Sequence, residues 1–251
     1  MSAAMAERPP TPMSLAAELC LGTVQAIESR LGLQETLCAP LVSAIDGSPV
    51  GTHRVLARDD VAALVYVGMT VEAFGLDSHM CFAFTPATSP VPHFTVDSVL
   101  AGPHYAFHLD LIPRLDPGAN LTYIDHCYGP LTEVHGTTQE IQGLTPAHLS
   151  PRQWQLMSAW MLAHRADETA FREVFGAVAA YRDQWLRLVD AGVPDEVVEG
   201  TTPHDRQRRD TRNREAIFNP QVDPVWARVD QLLGPEVSAG IRASLKTAAR
   251  D

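Results

Sequence analysis

The stretch His93-Phe94-Thr95-Val96-Asp97-Ser98-Val99, then Gly102-Pro103, then Tyr105-Ala106-Phe107-His108-Leu109-Asp110-Leu111, decides the fold. Both arms alternate with a period of two and a glycine–proline pair parts them, the pattern of an antiparallel hairpin. With Gly102-Pro103 at the tip, Asp97 faces His108 and Thr95 faces Asp110. Alternating side-chain direction gathers His93, Thr95, Asp97, Ala106, His108 and Asp110 on one face. The opposite face, with Phe94, Val96, Leu100, Phe107, Leu109 and Leu111, belongs to a core.

Working outward, Ser14 reads as the N-cap of a helix to about Leu31, with Leu15, Leu19, Val24 and Ile27 inside. Short apolar runs predict strands over roughly Thr52 to Leu111. Ser150-Pro151 supplies an N-cap and a first-turn proline, and Trp154, Met157, Trp160 and Met161 follow at helical spacing as a core stripe. A second helix spans about Glu168 to Leu188 along the stripe Phe171, Val174, Phe175, Val178, Tyr181, Trp185 and Leu188, and stops at Ala191-Gly192. Val193 to Asn219 is polar and Arg-rich; shorter helices at Pro224–Leu233 and Glu236–Ala249 flank Gly234-Pro235. Helix, strand block, then helices make an α+β arrangement with a covered antiparallel sheet. Met1 to Pro12, with three prolines, is expected to be a mobile tail, and residues 13–251 a single domain.

The bulk numbers narrow the function classes. A net charge of −11 over 251 residues disfavours nonspecific nucleic-acid binding, which needs a basic surface. The four cysteines show no CxxC spacing, which argues against structural zinc or a disulfide framework and fits a reducing cytoplasm. No basic leader or long apolar run is present, so neither a signal peptide nor a membrane span is expected.

His79-Met-Cys-Phe-Ala-Phe-Thr-Pro86, Pro92-His-Phe-Thr-Val-Asp97 and Asp110-Leu-Ile-Pro113 resemble consecutive core strands of the ferredoxin-dependent bilin reductase superfamily. Leu149-Ser-Pro-Arg-Gln-Trp154, Ala180-Tyr-Arg-Asp-Gln-Trp185, and Asp223-Pro224 followed by Leu233-Gly-Pro-Glu236 are similar to its helical half in order and spacing. The resemblance implies a three-layer α/β/α sandwich with a pigment pocket between a central antiparallel sheet and the C-terminal helices. It implies reduction of a linear tetrapyrrole such as biliverdin by proton-coupled single-electron steps, with electrons from ferredoxin and no tightly bound cofactor. By position it makes Asp97 the catalytic sheet aspartate, His79 its histidine partner on the neighbouring strand, and Asp223 an acidic residue on the C-terminal side. The chain departs from the family at Thr95, which stands where a glycine is usual, and at His108, which stands where an apolar residue is expected. The family's glutamate on an earlier strand has no clear counterpart here, Glu72 being the one candidate.

The chemistry asks for such residues. One-electron reduction builds negative charge on a conjugated guest, and a carboxyl group beneath it can supply protons near neutral pH if desolvation raises its pKa. A histidine can relay them. His93, Thr95, His108 and Asp110 are the expected substrate contacts. Arg206, Arg208, Arg209 and Arg212, with Arg214, form a local basic cluster for an acidic ferredoxin. The same face also admits other chemistry. His93, Asp97 and His108 could supply a two-histidine, one-carboxylate set for a non-heme-iron oxidase or oxygenase of a small aromatic metabolite. A pigment-binding protein without turnover would keep the pocket and need no proton donor.

Overall fold

A computed structural model describes residues 13–58 and 62–248; the expected N-terminal tail lies outside the described residues. Helix α1 (Leu15–Leu31) begins at Ser14, whose side chain accepts from the Ala17 amide, and ends at Gly32 in the left-handed region. Six strands follow, β1 (Gln34–Val42), β2 (Pro49–Arg58), β3 (Ala62–Val71), β4 (Leu76–Phe84), β5 (His93–Ala101) and β6 (His104–Ile112). Helices α2 (Leu121–Cys127) and α3 (Thr132–Gln139) come next, then β7 (Leu144–Pro146), α4 (Pro151–Leu156) and β8 (Leu162–Ala166). Helices α5 (Glu168–Ala191), α6 (Pro203–Ile217), α7 (Val225–Leu233) and α8 (Pro235–Thr247) complete the described chain. The strands form one antiparallel sheet in the order β1-β2-β3-β4-β5-β6-β8-β7.

The hairpin has the expected register, Asp97 opposite His108 and Thr95 opposite Asp110. Its two-residue tip places Gly102 at φ 60°, the first central position of a II′ turn, which glycine occupies without strain. The sheet separates two cores. On one face, Leu56, Leu64, Tyr66, Cys81, Phe94, Val96, Phe107 and Leu109 pack with α1, α5 and the α2 region. On the other, Val65, Val67, Met69, Phe82, Phe84 and Ile112 pack with the end of α6, α7 and α8. The result is an α/β/α sandwich.

Three expectations are corrected. The sheet starts at Gln34 instead of near Thr52, because β1 is an almost wholly exposed edge strand without an alternating apolar face. The helix opened by Ser150 stops at Leu156, since Met157 is extended at ψ 173° and the chain turns into β8 against β6. Trp154 is accordingly half-exposed rather than core, while Trp160 packs against the first core from outside α4. Val193–Asn219 contains α6, capped by reciprocal Thr202–Asp205 hydrogen bonds. The last helix ends at Thr247, and Ala249 lies outside the described residues.

Candidate active site

Alternation along β5 sends His93, Thr95, Asp97 and Val99 toward α6–α8 and Phe94, Val96 and Ser98 toward α1. At Asp97 the flanking strands present Met80 from β4 and His108 from β6. Above these residues the C-terminal helices leave a cavity of about 250 Å³. Its floor is Met80, Phe82, Asp97, Val99 and His108; Ile217, Phe218, Asp223, Val225 and Trp226 roof it, and Gln153, Leu156 and Met157 close one side. The lining is apolar except for a few convergent polar groups, the usual composition of a small-molecule site.

Apart from His79 at the border, three of those groups are titratable. His108 Nδ1 lies 3.4 Å from Asp97 Oδ2. Burial opposes the charge on His108, but the Asp97 hydrogen bond and the negative charges of Asp97, Asp110 and Asp223 outweigh it and raise the imidazole pKa. Asp223, ahead of α7, accepts from the Val225 amide at 3.0 Å. Burial, reinforced by the Asp97 charge, pushes its carboxyl pKa up. Asp97 Oδ1 and His108 Nε2 are both shut off from solvent and have no hydrogen-bond partner among the described residues. A buried polar atom in that state costs about 1–3 kcal/mol, so these two atoms are set for a partner the described residues do not supply.

The register does not bring the ring of His79 to Asp97. His79 pairs with Ser98 and Met80 with Asp97, so His79 borders the cavity while its side chain falls on the α1 face. There Nδ1 meets the Tyr66 hydroxyl at 2.8 Å and Nε2 meets Asp77 Oδ1 at 2.7 Å. Gly68 opposite makes room, since a Cβ there would sit 2.2 Å from Tyr66 Oη and 2.8 Å from His79 Nδ1.

Of the four expected substrate contacts, His108 alone lines the cavity. His93 sits deeper, where its Nδ1 accepts from the Thr85 amide and its Nε2 therefore donates to Asp210 Oδ1 at 2.7 Å. Burial and the Arg114 and Arg214 charges hold its pKa well below the ordinary imidazole value. Thr95 is wholly buried. Asp110 is wholly buried and accepts from the Ser158 amide and hydroxyl, tying β6 to the chain between α4 and β8. With His93 committed to Asp210, the set His93, Asp97 and His108 does not converge, and the described residues hold no group of three or more side chains fit for a metal. Glu72 is exposed in the turn after β3, away from the cavity.

The arginine cluster is split by the turn of α6. Arg214 is fully buried, bonded to Asp210 and stacked 4.0 Å over the Phe84 ring. Arg206 reaches back to the Thr88 carbonyl and Thr201. Arg208, Arg209 and Arg212 line a surface depression with Trp154, and Leu156 and Met157 border both this depression and the cavity. Sequence reasoning missed Asp210 and Trp226; the Asp210–Arg214 spacing of one helical turn was the available signal for the first.

No helix among the described residues is long and apolar enough to cross a membrane. No protein-family model matches the sequence, and no curated protein matches it. Among solved structures, the phytochromobilin synthase of tomato in complex with biliverdin superposes with a TM-score of 0.70 at 14% identity, over 91% of this chain and 82% of that one. An antiparallel sheet between two helical layers is thus a fold this chain has in common with phytochromobilin synthase.

Proposed function

We propose that this chain is a cytoplasmic, ferredoxin-dependent reductase of a linear tetrapyrrole such as biliverdin. The observation that carries the reading is the apolar cavity on the sheet, with Asp97 in its floor and Asp223 in its roof. The tomato neighbour, a phytochromobilin synthase solved with biliverdin, supports the choice of guest. At about 250 Å³ the cavity is smaller than the ~300–1,000 Å³ typical of ligand sites, so a four-ring guest extends past its rim.

Reduction of one double bond takes two electrons and two protons. In this reading two reduced ferredoxins supply the electrons singly, without a tightly bound cofactor. Each electron places negative charge on the guest in a low-dielectric site, where a proton must follow. Asp97 lies below the guest and Asp223 above it, so protons are offered to both faces. Asp223, with its raised pKa, holds a proton at higher pH than a solvated carboxyl does. Arg208, Arg209 and Arg212 provide a cationic landing for an acidic ferredoxin beside the rim.

The test is anaerobic. Purified protein is titrated with biliverdin, then reduced ferredoxin is added and the visible spectrum followed. The reading expects a shift on binding and a second change on reduction; Asp97→Asn should bind biliverdin comparably and lose turnover by about 10²–10⁴-fold. Binding with no reduction by any donor would leave a pigment carrier instead. Absence of binding would end the proposal.

A further inference from the structure

We propose that His108, and not His79, is the proton-handling partner of Asp97, so that the imidazole of this site comes from β6 instead of β4. The inference rests on the reductase reading and deepens it. Met80 is the β4 residue opposite Asp97, and a thioether cannot carry a proton. His108 faces Asp97 across the β5–β6 pair, 3.4 Å away, and lines the same cavity. The pair leaves Asp97 Oδ1 and His108 Nε2 without partners among the described residues, one an acceptor and the other, in the charged ring, a donor. Both are closed to solvent, as proton transfer to a bound guest requires.

The charged groups acting on His108 are Asp97 from β5, Asp110 from its own strand and Asp223 ahead of α7. The β8 residue opposite it is Ala163, and Gln153 of α4 is neutral. These carboxylates favour the imidazolium, which is the form able to give a proton. In the step, ferredoxin adds one electron to the guest and the His108–Asp97 pair releases one proton to it. The pair then stands one proton short, with neutral imidazole beside carboxylate, and is recharged from solvent before the second electron arrives.

Imidazole titration by NMR and single-turnover reduction of biliverdin across pH test this together. In the free protein His108 should titrate above the ordinary value of about 6.5, and Asp97→Asn should bring it down by about one unit or more. In the reduction assay the wild type should slow on the alkaline side where His108 titrates. His108→Gln should remove that limb and slow the proton-coupled step at least tenfold, with biliverdin affinity within a few-fold. His79→Gln should leave the limb and the His108 titration in place. An unmoved His108 titration in Asp97→Asn, or a wild-type alkaline limb in His108→Gln, overturns the proposal. If the wild type fails to reduce biliverdin, the reductase reading fails, and the NMR arm still decides whether the two groups share a proton.

Discussion

Replacing Asp210 by Asn should produce the largest loss of stability from the gentlest change in shape. Asp210 Oδ1 accepts from His93 at 2.7 Å, Arg214 Nε at 3.0 Å and Arg114 Nη1 at 3.1 Å, and all four side chains are at most 2% exposed. Burial opposes its charge, but the His93 bond and the charges around it hold the carboxyl well below the usual range. Asn preserves the volume and removes the carboxylate that the buried Arg114 and Arg214 guanidiniums share. Breaking a buried ion pair from one side costs about 3–5 kcal/mol, which in a chain of this size lowers Tm by roughly 6–20 °C. The loss should vary with pH. A carboxyl with a depressed folded pKa stabilises above its unfolded value of about 3.9, and that stability disappears as pH falls toward the folded value. Denaturant melts should therefore separate wild type and Asp210→Asn widely at pH 7 and progressively less below pH 4. Because α6 carries Ile217 and Phe218 into the cavity roof, biliverdin binding should weaken in parallel. A difference under about 1 kcal/mol at pH 7, or one independent of pH, would refute the reasoning.

Gly68→Ala should destabilise the fold by about 1–3 kcal/mol in denaturant melts, because its Cβ would displace the buried Tyr66–His79 hydrogen bond. Paired reversal of Arg208 and Arg212 to Glu should slow reduction by ferredoxin about tenfold or more at low salt, erase its ionic-strength dependence, and leave the optical titration with biliverdin unchanged. Trp154→Ala should change Tm little, since the ring is 50% exposed.

How much was legible follows from which residues do the burying. The β5–β6 hairpin could be read to the residue because alternation, a glycine suited to the turn and a two-residue tip all fix one register. Helix α5 could be read because its buried stripe is apolar apart from Gln184. Helix α6 could not, since it buries Asp210, Arg214 and Ile217, and two of the three look like surface residues until their partners on β5 and after β6 are known. Strand β8 hid behind a good helix start, and its short Leu-Ala-His-Arg-Ala run has no β-branched residue. The face of His79 was invisible for a different reason. A one-residue shift reverses side-chain direction, and the connection between β4 and β5 sets that shift through tertiary bonds such as Thr85 to Val91. Asp97 and His108 could be paired from sequence because they share a hairpin. Asp223 reaches them only after the chain has crossed the sheet, so its place in the site came from family resemblance alone.

The most direct measurement of the central claim is a crystal structure of this chain with biliverdin. The account predicts the tetrapyrrole between sheet and C-terminal helices, a ring nitrogen or lactam oxygen within hydrogen-bond reach of Asp97 Oδ1 or His108 Nε2, and Trp226 or Phe218 against its other side. A guest bound elsewhere, or one seated here with both atoms still unpartnered, would contradict it.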